Sequence, residues 1–149
     1  MRAVIQRVTR AEVTIAGRLA GSIGSGILLL LGIHRDDTLA DAASILKKTL
    51  ELRIFPDQDG KMNLSLLEIG GELLVVSQFT LWGDCRKGRR PSYSDAMEPG
   101  AAREFYDRFV ELARQSPVRV ATGEFGALMD VALVNDGPVT LLLDSRKQF

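Results

Sequence analysis

Apolar positions in the first third of the chain fall in short β-rich runs: Ala3, Val4, Ile5 and Val8, then Val13 and Ile15, then Leu19 and Ile23, with Gly17 and Gly21 between them. This punctuation predicts a meander of strands. Residues 26–33 (GILLLLGI) are unbroken apolar sequence, too short for a free-standing helix and suited to a central strand buried on both faces. After Thr38 the period lengthens. Leu39, Ala42, Ala43, Leu46 and Leu50 form one stripe, with Thr38 as N-cap and Asp41 three residues on to answer the free amides, which predicts a helix over 39–52. Residues 55–60 (FPDQDG) carry turn chemistry, 63–71 read as loop, and 72–81 (ELLVVSQFTL) return to strand composition. Pro99 and Gly100 open a second helix that turns Ala102, Phe105, Phe109, Leu112 and Ala113 inward and ends at Ser116 and Pro117. Three strands follow, at 118–121, 129–134 and 139–143, the last two joined as a hairpin across Asn135, Asp136, Gly137 and Pro138.

Strand runs separated by single helices lack the regular βαβα alternation of a doubly wound sheet. The expected fold is α+β: a single domain over 1–149, with about eight strands in a curled or barrel-like, mostly antiparallel sheet and about two helices. Composition fits one folded domain, with 46% hydrophobic and 26% charged residues. Charge narrows the partners. Nineteen basic residues balance nineteen acidic ones, nine of each sign up to Val75 and ten of each beyond it. Binding along a duplex, which draws on many phosphate contacts, is disfavoured, and no DNA partner is expected. One cysteine, Cys85, and one histidine, His34, are too few soft ligands for a zinc site, so neither metal nor cofactor is expected. The amino-terminal residues lack the apolar core of a secretory signal, and no run approaches the ~20 residues of a membrane span, so a cytoplasmic protein is expected.

Three segments could carry chemistry. Ser77, Gln78 and Thr80 place polar side chains around Phe79 at the end of an apolar strand, where buried amides and hydroxyls need partners or a ligand. At 135–140 (NDGPVT), Pro138 removes an amide donor where a returning strand should pair, and a Gly-Pro bond can adopt the cis form, which would aim two successive carbonyls the same way. Arg86, Lys87, Arg89 and Arg90 are the one dense positive cluster, flanked by Trp82 and Tyr93, which could stack on bases. Each also has a plain structural reading: a satisfied strand end, a hairpin and a solvated loop. A cysteine hydrolase built on Cys85 and His34 is disfavoured because nothing in the sequence brings the two together, and His34 is expected in an exposed loop.

The pair SQFTL at Ser77 to Leu81 and NDGPVT at Asn135 to Thr140 resembles the D-aminoacyl-tRNA deacylases, and IQRVTR at 5–10 and KMNL at 61–64 extend the likeness over nearly the whole chain. The resemblance implies a homodimeric hydrolase. It would cleave the ester joining a D-amino acid, or glycine, to the terminal adenosine of tRNA and reject L-aminoacyl-tRNA. It implies that Ser77, Gln78, Phe79 and Thr80 line the catalytic pocket and that Gly137, Pro138 and Val139 enter the pocket of the opposite subunit. Phe125 and Met129 would wall the adenine site, Arg7 would brace the glycine-proline segment, and Arg86, Lys87, Arg89 and Arg90 would meet the tRNA. The alternative is a dimeric module that holds aminoacyl-tRNA 3′ ends without cutting them.

Overall fold

The computed structural model describes residues 1–149. Eight strands and two helices follow the order β1 (Arg2–Ile15), β2 (Arg18–Ile23), β3 (Gly26–Gly32), α1 (Leu39–Glu51), β4 (Phe55–Pro56), β5 (Met62–Leu64), β6 (Glu72–Ser77), α2 (Pro99–Arg114), β7 (Arg119–Thr122) and β8 (Asp130–Asp144). A 3-10 turn, Phe79–Trp82, follows β6 directly. β4 and β5 form a small two-stranded sheet where turn and loop were expected.

β1 organises the main sheet. It pairs antiparallel with β3 over Arg2 to Val8, with β2 over Ala11 to Ile15, and with β8 along most of its length. β6 then joins β3 and β7 joins β6, both in parallel. The sheet is mostly antiparallel, as expected, since β1 pairs antiparallel with three strands, but the crossovers through α1 and α2 return the chain in the same direction and add the two parallel pairings. It also curls nearly closed. Gly21 of β2 approaches β7 so closely that a Cβ would lie 2.3 Å from the Thr122 carbonyl oxygen, and a side chain there would push the two edges apart. At the same seam Arg119 donates to the Ser22 carbonyl at 3.0 Å and to Glu72 at 2.8 Å, while Glu72 also accepts from the Gly24 amide at 2.8 Å.

β3 is buried on both faces, as its composition predicts. Ile27, Leu29 and Leu31 join Leu73 and Val75 of β6 in the cluster beneath Ile45, Leu46, Phe109 and Val110 of the helices. Leu28 points the other way, into a smaller cluster with Val8, Val13, Leu74 and Val76. The central strands are thus covered by side chains on two sides, and the polar end of β6 emerges from this doubly buried part of the sheet.

The predicted hairpin at 135–138 does not form. β8 runs through it as one strand, and its register against β1 jumps from Gln6↔Thr140 to Val8↔Asn135. Asp136, Gly137, Pro138 and Val139 are thereby spread opposite Arg7 alone, as a bulge within the strand. Continued pairing with β1 on both sides of the bulge overrides the local turn signal.

Candidate active site

β6 stops at Ser77, and the chain enters the 3-10 turn through Gln78, whose amide donates to the Leu31 carbonyl at 2.7 Å. The turn closes with bonds from the Leu81 amide to the Gln78 carbonyl and from the Gly83 amide to the Thr80 carbonyl. The amides of Phe79 and Thr80 precede the first donor of the turn, the Leu81 amide, and so have no partner within it. Gln78 donates its side-chain amide to the Thr80 hydroxyl, a bond across the turn's opening. Alternation of faces along an extended strand thus fails from Gln78 onward. The Phe79 ring is exposed and meets Tyr93 edge-on, with centroids 4.9 Å apart.

A cavity of about 680 Å³ opens beside this turn. Leu31, Ile33 and Val76 line it from the sheet, Met97 to Pro99 from the start of α2, and Phe125 to Met129 from the loop after β7. Ser77, Gln78 and Phe79 lie on its wall, as do Phe125 and Met129. The lining contains no His, Cys, Asp, Lys or Arg. Its one carboxylate, Glu98, caps α2 by accepting from the amides of Gly100 at 3.0 Å and Ala101 at 3.3 Å. Arg103, one turn into α2, donates to the Phe125 carbonyl at 2.9 Å and so ties the far wall to the helix.

The bulge of β8 lies apart from this cavity, whose lining includes none of Arg7, Gly137, Pro138 and Val139. The Gly137–Pro138 peptide bond is cis, and both residues are exposed. Asn135 closes the neck of the bulge, donating to the Arg7 carbonyl at 2.9 Å and to the Val139 carbonyl at 3.0 Å. Arg7 sits beneath it, buried. Its Nη1 donates to the Ile54 carbonyl, and its Nε lies 2.9 Å from the Asp136 carboxylate, an ion pair with off-line hydrogen-bond geometry.

A sequence model of the D-Tyr-tRNA(Tyr) deacylase family matches residues 4–144. The chain belongs to this family. D-aminoacyl-tRNA deacylases of Thermosipho africanus and Kosmotoga olearia are 58% and 59% identical to it over 149 residues, covering all of both chains. A solved structure titled c-Myc DNA Unwinding Element Binding Protein superposes with a TM-score of 0.92 at 44% identity, covering 97% of this chain and 98% of the other. A second, described as a probable eukaryotic D-amino acid tRNA deacylase, shares the fold with a TM-score of 0.80 at 19% identity, covering 95% and 97%.

Of the residues singled out by family resemblance, the structure gathers Ser77, Gln78, Phe79, Phe125 and Met129 at one cavity, with Thr80 on the turn beside it. It places Arg7, Gly137, Pro138 and Val139 together at a second, separate place. In the basic loop, Arg86 is already paired, since its guanidinium makes two bonds to Asp84 at 2.7 and 2.8 Å. That pairing holds the Asp84 carboxyl well below its ordinary pKa and raises that of Arg86. Three exposed cations, Lys87, Arg89 and Arg90, are left without an ion-pair partner.

Two expectations for aromatic and imidazole groups are overturned. Trp82 is buried and not available to a base, while Tyr93 does reach the cavity wall. His34 is also buried, edge-on to Trp82 at 4.5 Å, with Nδ1 accepting from the Asp36 amide. Burial and then Arg146 lower its pKa against the opposing pull of Asp37, Asp36 and Asp95. Exposed Cys85 points its thiol at the Gly83 carbonyl, so no thiol-imidazole pair exists. Sequence reading missed Glu98 and Arg103. The Glu-Pro-Gly start of α2 signalled the cap, whereas the contact of Arg103 with a loop 22 residues away left no local trace.

Proposed function

We propose that this chain hydrolyses the ester of D-aminoacyl-tRNA, and of glycyl-tRNA mischarged on tRNA(Ala), and does so as a cytoplasmic homodimer of 1–149 domains. The observation that carries the chemistry is a polar turn set at the mouth of a cavity whose lining has no histidine, cysteine or free carboxylate. A hydrolase built this way has no side-chain base to deprotonate water or a nucleophile. The terminal ribose of the substrate supplies the missing group, its 2′-hydroxyl helping to activate water. The amides of Phe79 and Thr80 face the ester oxygen as it gains charge, which lowers the barrier where preformed dipoles are most effective.

Chiral selection falls to Gly137 and Pro138 of the partner subunit. Main-chain oxygens there accept the α-ammonium group and occupy the space into which an L side chain would project, so L-aminoacyl ends are excluded by a clash. Glycine has nothing to exclude and passes. Phe125 and Met129 flank the adenine, and Arg7 holds the bulge from behind. Lys87, Arg89 and Arg90, with the partly neutralised Arg86, meet the phosphate backbone near the shared 3′ end, a contact without sequence content that suits zero net charge. Three free cations are too few to propose a duplex-binding role.

The test is release of free tyrosine from D-Tyr-tRNA by catalytic amounts of protein, with L-Tyr-tRNA as control. Rapid release from the D form and none from the L form are expected; binding without release, or equal cleavage of both, overturns the reading. Thr80→Ala separates the chemical routes. About a tenth or more of the rate should survive if the ribose assists, whereas near-complete loss would make Thr80 the nucleophile.

A further inference from the structure

Beneath the 3-10 turn, on the side away from the cavity, lies a stack that the proposed chemistry does not use. Arg2, the first residue of β1, donates from Nη1 to the Leu81 carbonyl at 3.1 Å. Its guanidinium lies over the Trp82 ring at 4.0 Å, and His34 meets the same ring edge-on. The carboxy-terminal tail grips the same guanidinium from outside. Asp144 accepts from Nε at 3.3 Å, Gln148 accepts from Nη2 at 3.1 Å, and the guanidinium carbon lies over the Phe149 ring, 5.5 Å from its centroid. The tail is itself pinned beside the start of β1 by the bond from the Ser145 amide to the Met1 carbonyl at 2.9 Å.

Every N–H of an arginine fork points in a fixed direction, so a guanidinium held at several partners fixes whatever it touches. Leu81 and Trp82 form the second half of a turn whose first half is Phe79 and Thr80. A four-residue turn has no slack between its halves. Packing of Trp82 between His34 and Arg2 sets its depth, and the bond to the Leu81 carbonyl sets its rotation. Errors of about 1 Å in the position of catalytic groups can cost as much as ~100-fold in rate.

We propose that Arg2, braced by the carboxy-terminal tail, is a positioning residue for the Phe79–Trp82 turn, aiming its opening amides at the ester. It touches no substrate; it acts through Leu81 and Trp82. This rests on the reading of that turn as the site of ester cleavage. Trp82 is the only tryptophan in the chain, so its fluorescence reports the stack directly and independently of activity.

Arg2→Lys retains the charge and one hydrogen bond but cannot bridge Leu81, Asp144 and Gln148 at once. It is expected to lower kcat on D-Tyr-tRNA about tenfold with KM within twofold, and to shift Trp82 emission. Deleting Gln148 and Phe149 should move both readouts in the same direction, by about two- to threefold in kcat, and provides a variant that leaves β1 intact should Arg2→Lys fold poorly. Unchanged kcat in the variant or variants that fold overturns the inference. So does a fall in thermal midpoint with kcat and Trp82 emission unmoved, the result of a purely structural role. Parent protein inert toward D-Tyr-tRNA instead overturns the underlying reading, while the emission shift still reports whether Arg2 holds the turn.

Discussion

At Gly137 the backbone adopts φ +113°, a region L side chains rarely enter, and a Cβ there would lie 2.8 Å from Arg7 Nη2 and 2.9 Å from Val139 Cγ2. Both neighbours are held: Arg7 by the Ile54 carbonyl and Asp136, and Val139 by the bond from Asn135 to its carbonyl. A methyl group therefore moves the bulge rather than its surroundings. Gly137→Ala is expected to cut D-Tyr-tRNA hydrolysis by at least about tenfold while costing roughly 1–2 kcal/mol of stability, the ordinary penalty of a positive φ. Kinetics and a thermal melt on the same preparation check it, and parental rates would remove the bulge from the site. Gly137 illustrates what single residues disclose in sequence. The Gly-Pro pair marked the place, because glycine admits backbone angles closed to other residues and proline fixes its own wherever they occur. Trp82 and His34 misled, because their burial depends on Arg2 and on the 3-10 turn, neither of which the flanking residues encode.

Helix α1 was legible because its signals are local: a hydroxyl cap, an acid three residues on and a stripe of apolar residues. The structure starts it at Leu39, and Asp41 Oδ2 accepts from the Thr38 amide at 2.9 Å and the Thr38 hydroxyl at 2.7 Å. Burial pushes the Asp41 pKa up, but these bonds from Thr38, aided by Ser145 and the terminal amine, outweigh it and bring the pKa to about 2 from 3.8. The folded chain thus binds this proton more weakly than the unfolded chain. The carboxylate contributes its full stability above the unfolded value of 3.8 and loses it as pH falls toward 2. Asp41→Asn should melt about 2–4 °C below the parent at pH 7, as expected for loss of about 1 kcal/mol of capping, and the gap should close as both are titrated toward pH 2. A gap that persists in acid would place the effect in packing. β8 was misread for the opposite reason: Asp-Gly is a strong local turn signal, but eleven residues of β8 pair with β1, and that long-range ladder decided the element.

β8 pairs with β1 on one edge and has no partner strand on the other, and it exposes Val134 and Leu142. Its bulge presents Gly137 and Pro138 outward, while the cavity beside Phe79 lacks any residue of that bulge. On the reading proposed above, each chain would hold one half of the site in each of two places. A twofold pair, in which every contact is made reciprocally, would join the halves twice. The composition of the cavity was partly visible in the sequence as the polar end of β6. The separation of the bulge from the cavity was not, because it is a property of the folded chain. Subunit mixing tests the arrangement. Phe79→Glu places a carboxylate where negative charge develops on the ester and should be inactive, as should Gly137→Ala combined with Pro138→Ala. Mixed in equal amounts and allowed to exchange, half of the dimers would be hybrids. Each hybrid would pair one intact turn with one intact bulge, so about a quarter of parental activity should return. Two defects within one self-sufficient subunit could not complement, and a mixture no more active than its components would show that each chain cuts its substrate alone.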